Sequence, residues 1–240
     1  THQADLLLDQ NYFADATDER YLGLLPEHCL QLLSPHYALL APEYSLLHSL
    51  VPERTELKRV LVFFGGVDSV NLTGRALEAL MDPAFSHLTV DVVLGLHSPH
   101  RLSVVHQISQ RPSTTLHEPL PGLAGLIARA DLAIGAGGAT TWERACLGLP
   151  SLVVVVADNQ LPFAQALDKS DYTQLMGVAE HVSAELIRQT LLEVLKKPCL
   201  HKNGKSLTDG KGSVRVATAM LSPKFPLNLR PAIHSDETLL

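Results

Sequence analysis

The sequence lacks both a cluster of basic residues and an apolar stretch long enough to cross a membrane. Its 240 residues contain 19 Lys and Arg against 25 Asp and Glu, which gives a net charge of −6. Because no Lys/Arg-rich run occurs, a nucleic-acid partner is not expected. The longest apolar run, Ser151–Ala157, is far shorter than the roughly 20 residues of a membrane-spanning helix. It is typical of a buried strand.

Cysteines are also few. The three present, Cys29, Cys146 and Cys199, are far apart and odd in number. That pattern suits a reducing cytoplasm and argues against a disulfide framework. His97 and His100 form an HxxH pair, but no Cys or third His lies near them. We therefore expect no metal and no cofactor.

The residues that are present predict one main α/β domain. Hydrophobic residues make up 46% of the chain and charged residues 18%, so a sizeable core is expected. After the charged, proline-flanked segment 52–59, apolar strands alternate with helical patterns, which predicts a Rossmann-type, doubly wound parallel sheet. We place a remnant domain and linker at 1–57, a nucleotide-binding domain at 58–221 and an irregular tail at 222–240. Within 1–57, a strand at Ala4–Leu8 and a helix around Ala16–Leu25 are predicted.

Two predicted strands of this sheet end in paired glycines. Gly65-Gly66 follows one strand, and Gly137-Gly138 follows another. In open parallel sheets, ligands bind at the carboxyl ends of the strands. We therefore expect both glycine turns to line one crevice.

Three interpretations of the second turn are open. The simplest is structural, because glycine accepts positive φ in turns. A second is a dinucleotide site built on Gly135 and Gly137 with Asp158 as the ribose acid, although Thr140 stands where the third glycine of the fingerprint belongs. A third is a nucleotide-sugar site. In that case backbone amides from Gly138 to Thr140 hold a diphosphate, and Glu143, one turn into the helix, accepts from the ribose hydroxyls.

The segment "GAGGATTWERACLGLPSLVVVVADNQ" resembles the UDP-sugar hydrolase of the pseudaminic-acid pathway, which serves flagellin modification. The segments "LLLDQNY", "LVFFGGVDSVNLT" and "DGKGSVRV" are similar to other parts of that family. More distantly, the chain looks like the nucleotide-binding half of the GT-B glycosyltransferases that make the peptidoglycan lipid intermediate. The resemblance implies a GT-B fold, no metal and release of UDP from a diacetamido-trideoxy sugar by water.

The same resemblance implies roles for individual residues. The diphosphate and ribose would be bound by Gly137, Gly138, Ala139, Thr140 and Glu143. Uracil would lie near the backbone of Glu118 and Leu120. The sugar and phosphate cleft would be lined by Gly65, Gly66, Asp68, Asn159 and Gln160.

The chain departs from the family at one important place. Members carry a "GxGHxxR"-like turn whose His is the proposed base for water, and no such segment occurs here. Residues 1–51 look like a remnant of the amino-terminal domain. No catalytic residue is assigned, weak turnover is expected, and apolar residues at 6–8 and 39–40 are expected to favour self-association. A GT-B glycosyltransferase and a non-catalytic nucleotide-sugar-binding module remain alternatives.

Overall fold

A computed structural model describes residues 4–14, 19–118, 120–196 and 204–221. The strands are β1 (Leu6–Asp9), β2 (Leu30–Leu33), β3 (Arg59–Phe63), β4 (Thr89–Val93), β5 (Thr114–His117), β6 (Leu132–Ala136), β7 (Ser151–Val155) and β8 (Gln174–Val178). The α-helices are α1 (Pro42–His48), α2 (Leu72–Leu80), α3 (Arg101–Gln110), α4 (Ala124–Arg129), α5 (Thr140–Cys146), α6 (Leu161–Lys169), α7 (Ala184–Val194) and α8 (Gly212–Met220). The predicted tail at 222–240 and Cys199 lie outside the described residues.

The main sheet confirms the predicted doubly wound parallel architecture. Its order is β5-β4-β3-β6-β7-β8, and every neighbouring pair is parallel. The central strands β6 and β7 are buried along their whole length, as expected where helices cover both faces. The order reverses between β3 and β6, so their carboxyl ends form the topological switch point, where a ligand crevice is expected.

The amino-terminal segment forms a separate two-stranded parallel sheet, β1-β2. The strand predicted at Ala4–Leu8 is confirmed, but the helix predicted around Ala16–Leu25 is wrong where the structure describes it, because residues 19–25 form turns. Asp9 at the end of β1 accepts hydrogen bonds from Arg20 and from the Tyr21 hydroxyl. These bonds hold the segment in turns. Gly23 has a φ of 71°, which lies outside the range of a right-handed helix.

The segment from α1 to the start of β3 packs against the main sheet. Tyr44 and Val51 are buried in the same apolar cluster as Ile127 of α4 and Trp142 of α5. The boundary at 57 stays a prediction, but α1 shares the core of the following unit. Leu40 also lies in this cluster, so the expected apolar patch at 39–40 is reduced to Leu39, which is 54% exposed.

Two elements differ from the sequence predictions. Strand β8 was not predicted, because all its residues are half-buried and show no alternation. Its pairing with β7 shifts register at Val153/Val154, and Gly177 has a φ of 130°. Ser98 and Pro99 have the sequence pattern of an N-cap and first helical turn, but helix α3 begins at Arg101, because Ser98 Oγ instead accepts from the His100 amide in the preceding turn.

Candidate functional site

A cavity of about 300 Å³ lies at the carboxyl ends of β3, β4 and β6. Its walls come from the loops after β3, β4 and β5 and from the first turn of α5, the helix that follows β6. The lining residues are Phe63, Gly66, Val93, Leu94, Gly95, Leu120, Pro121, Gly122, Leu123, Thr140 and Glu143. The sheet therefore brings together four residues predicted from sequence to share a crevice, namely Gly66, Leu120, Thr140 and Glu143.

The first glycine turn shapes the wall after β3. Gly65 has a φ of 93°, a conformation that favours glycine, and Gly66 lines the cavity. A Cβ on Gly95, at the end of β4, would lie 1.9 Å from the Gly66 carbonyl oxygen. The two loops can therefore meet only because Gly95 has no side chain.

Asp68 is engaged within this turn. Its two carboxylate oxygens accept from the backbone amides of Leu72 and Thr73 at 2.9 and 2.8 Å, and its side chain is buried. This geometry satisfies the free amides at the start of α2. The structure thus assigns Asp68 a helix-capping role, and its predicted place in the cleft stays a prediction.

The second glycine turn leads from β6 into α5. The Gly137 amide donates to the Val154 carbonyl oxygen at 3.0 Å and so continues the sheet, whereas Thr141 and Trp142 donate back to the carbonyls of Gly138 and Ala139. The amides of Gly138, Ala139 and Thr140 lie outside these bonds. Gly137 is therefore the one predicted phosphate-binding amide that the sheet already uses.

Gln160 approaches this turn, whereas Asn159 does not line the cavity. Gln160 Oε1 accepts from the Val156 amide at 3.0 Å, and its Nε2 would lie 3.7 Å from a Cβ built on Gly138. Asn159 is exposed in the short turn after β7. The Gln160 amide group thus lies beside the glycine turn, although Gln160 does not line the cavity either, and its predicted contact with the phosphates or the sugar stays a prediction.

Glu143 lines the cavity with a carboxyl group that lies beside the Tyr44 hydroxyl. The residue is half-buried, and neither its Oε2 nor the nearby Tyr44 hydroxyl has a well-aligned hydrogen bond to a described residue. Burial raises the pKa of the Glu143 carboxyl, and the Glu43 carboxylate raises it further, while Tyr44 and Arg144 act in the opposite direction. A carboxylate can accept several hydrogen bonds, so the Glu143 group keeps capacity for a ligand beside its contact with Tyr44.

The segment predicted near uracil is only partly in the cavity. Leu120 lines it, together with Pro121 and Gly122. The Glu118 side chain is instead paired with Arg101, with 2.6 Å between Oε1 and Nη2. That pairing leaves the backbone of Glu118, rather than its carboxylate, for the predicted uracil contact.

Several lining residues were missed by the sequence analysis. Phe63, Val93 and Leu123 look like ordinary core positions, because apolar residues at strand ends and helix starts carry no functional pattern. Gly95 did have a signal, because it ends the apolar run "VVLG" as Gly65 ends the run before it.

The described residues contain neither a metal-binding cluster nor a membrane-spanning helix. No group of three or more His, Cys, Asp and Glu side chains is arranged to hold a metal ion there. None of the helices in that part of the chain is long and apolar enough to cross a membrane.

One curated bacterial protein is clearly similar in sequence. The chain is 30% identical over 196 residues to the spore coat polysaccharide biosynthesis protein SpsG of Bacillus subtilis, and the match covers 80% of this chain and 58% of SpsG. The chain therefore spans little more than half the length of this relative. No protein-family model matches.

Solved structures share the fold at low sequence identity. MurG of Acinetobacter baumannii superposes with a TM-score of 0.57 at 16% identity, over 76% of this chain and 54% of MurG. A UDP-N-acetylglucosamine 2-epimerase superposes with a TM-score of 0.52 at 17% identity, over 80% of this chain and 54% of the epimerase. The chain thus has the α/β fold with a parallel sheet of GT-B glycosyltransferase-like proteins, and it spans about half of each.

Proposed function

We propose that this chain binds a UDP-sugar in the cavity between β3 and β6 and serves bacterial surface polysaccharide biosynthesis. The observation that carries the proposal is Glu143, which lines a cavity of about 300 Å³ and whose Oε2 has no well-aligned hydrogen bond to a described residue. That volume is at the lower end of the range typical of small-molecule sites. The carboxylate would accept from the ribose hydroxyls, and the amides of Gly138, Ala139 and Thr140 would donate to the diphosphate.

The comparisons support the class of ligand and process. SpsG is named for spore coat polysaccharide biosynthesis, and one protein of the same fold is named for the epimerisation of a UDP-sugar. These names describe SpsG and the epimerase themselves. For this chain they support a UDP-sugar as the ligand and polysaccharide biosynthesis as the process.

The reaction we propose is release of UDP from a diacetamido-trideoxy sugar by water. Such a step needs a positioned water with a base, and stabilisation of the charge that develops on the departing UDP. The glycine-turn amides would supply the second requirement. Transfer to an acceptor hydroxyl is the alternative, and a non-catalytic UDP-sugar-binding module would use the same site.

The dinucleotide interpretation is less well supported, because Gly135 has another explanation. A Cβ at this position would lie 2.5 Å from Arg144 Nη1 and 2.5 Å from the Phe63 carbonyl oxygen. The first glycine of the pattern is therefore needed to make room for protein atoms. Close approach of a cofactor is not required to explain it.

Calorimetric titration of the 240-residue chain with UDP and, separately, with NAD tests the proposal. We expect saturable UDP binding and much weaker NAD binding, because the pattern lacks the third glycine that a dinucleotide fingerprint uses. Tighter binding of NAD than of UDP would reject the UDP site and favour the dinucleotide one.

A further inference from the structure

Arg144 is a buried cation directly beneath the second glycine turn. Only 4% of its surface is exposed, and no ion pair joins it to a carboxylate of the described residues. Glu143 is near enough to act on it electrostatically but does not pair with it. Burying an unpaired charge is costly, so the location of Arg144 calls for an explanation.

The guanidinium joins the two ends of the turn. Arg144 Nη2 donates to the Ala136 carbonyl oxygen at 2.8 Å, just before the turn, and to Thr141 Oγ1 at 3.1 Å, just after it. Gly135 leaves the space that Nη1 occupies. Arg144 Nε is buried and has no hydrogen-bond partner among the described residues. These contacts fix both the shape of the turn and the position of the charge.

Arg144 is also close to the cavity. It lines a small void of about 10 Å³ together with Phe63, Leu123 and Thr140, and these three residues also line the large cavity. The void and the cavity therefore share a wall. A negative group held at the turn would lie on the other side of that wall from the guanidinium.

We propose that Arg144 is a positioning residue that gives the Gly137-Gly138 turn a fixed positive charge, which selects the diphosphate of the nucleotide rather than its nucleoside. This inference rests on the proposed UDP site. A buried charge acts through a medium of lower effective dielectric than water, so its attraction for an anion is weakly screened. The bound diphosphate would supply a second negative charge near Arg144, in addition to the Glu143 carboxylate, which acts on it without forming an ion pair.

Affinities for UDP and for uridine, measured on the same variants, test this role. In Arg144→Met we expect the UDP affinity to fall about tenfold or more, with uridine affinity little changed, because uridine carries no phosphate. Arg144→Lys, which keeps the charge, should retain most of the preference for UDP. Thermal unfolding of each variant shows whether it is folded.

A milder variant covers the case in which Arg144→Met does not fold. Thr141→Val keeps the shape of a side chain that is 3% exposed but removes one acceptor of the guanidinium. We expect it to lower UDP affinity by about twofold to tenfold and to leave uridine affinity unchanged.

The outcomes separate this inference from the UDP site itself. If the unmodified chain binds no UDP, the proposed function is rejected and this inference with it. If the unmodified chain binds UDP, two results would overturn the role of Arg144 alone: an unchanged ratio of UDP affinity to uridine affinity in Arg144→Met, or a lysine variant that binds UDP as weakly as the methionine variant.

Discussion

At the scale of single residues, Glu143 is a half-buried acid that we propose to bind the ribose. Its carboxylate would form charge-assisted hydrogen bonds to the ribose, each contributing about 1.5–3 kcal/mol. We therefore expect Glu143→Gln to weaken UDP binding about tenfold to a hundredfold. Because burial already disfavours the charge at this position, the neutral glutamine should leave the free energy of unfolding unchanged or slightly higher.

Calorimetry with UDP and urea unfolding measure the two quantities. Glu78→Gln is the matched control, because Glu78 is exposed on α2 and does not line the cavity. If Glu143→Gln binds UDP normally, or if it loses the fold, Glu143 is only a structural acid at the start of α5.

The raised pKa of Glu143 also predicts a pH dependence. Uridine affinity should fall as the pH drops through this pKa, which lies above the ordinary 4.5, because the protonated acid accepts hydrogen bonds less well. Uridine is used because its lack of phosphate removes the ligand's own titration from that window. Glu143→Gln should show a flat profile. Identical profiles in both proteins would mean that another group causes the change.

The same pKa fixes the sign of a stability effect. Between 4.5 and the raised value, the folded state keeps the Glu143 proton while the unfolded chain has released it. The unfolded state therefore binds fewer protons, and stability falls as the pH rises through this window. As the pH rises over this range, we expect the unfolding free energy of the unmodified chain to fall relative to that of Glu143→Gln.

At the scale of secondary-structure elements, Arg54 joins the segment before β3 to two helices. Its guanidinium donates to the carbonyls of Ile127 and Ala130 at the end of α4 and of Leu147 at the end of α5, at 2.6–2.9 Å. Helix ends leave such carbonyls unsatisfied and favour cations. We expect Arg54→Ala to lower the free energy of unfolding by about 2–4 kcal/mol.

Urea unfolding checks this expectation against Glu53→Ala, since Glu53 is the exposed neighbour. The slope of unfolding free energy against urea should stay the same, because the surface exposed on unfolding does not change. Equal stability of the two variants would mean that water replaces the guanidinium at these helix ends without loss.

Elements also show how far the sequence could predict this structure. Strands β3 and β6, which precede the Gly65-Gly66 and Gly137-Gly138 turns, were predictable, because continuous apolar runs followed by glycine turns are typical of a buried parallel sheet. Strand β8 was not, because an edge strand with half-buried residues has no such run. Within the candidate site, Glu143 could be predicted from sequence, because it lies one turn into the helix that follows the Gly137-Gly138 turn. Nothing in the sequence singles out Arg144, because only the fold shows the space that Gly135 leaves for it.

At the scale of the whole molecule, the described residues form the cavity proposed to bind UDP but show no evident base for water. Of the residues that line the cavity, Glu143 is the titratable one, and we assign it to the ribose. His100 Nε2 is bonded to the Ser69 carbonyl oxygen at 3.0 Å, and His117 Nε2 to Asp91 at 2.7 Å. These histidines are therefore engaged away from the cavity wall.

We accordingly expect the 240-residue chain to bind UDP but to release it from UDP-sugars slowly. Enzymes typically turn over at about 1–10³ s⁻¹. Without a general base, we expect the rate to be lower than this by a factor of about 10²–10⁴. A coupled assay for UDP, run with and without a candidate acceptor sugar, measures the rate. Glu143→Gln is the control, because any genuine turnover should fall with UDP binding. Turnover within the ordinary range in water alone would mean that a base exists in this chain and would favour the hydrolase, whereas turnover that requires the acceptor would favour the transferase.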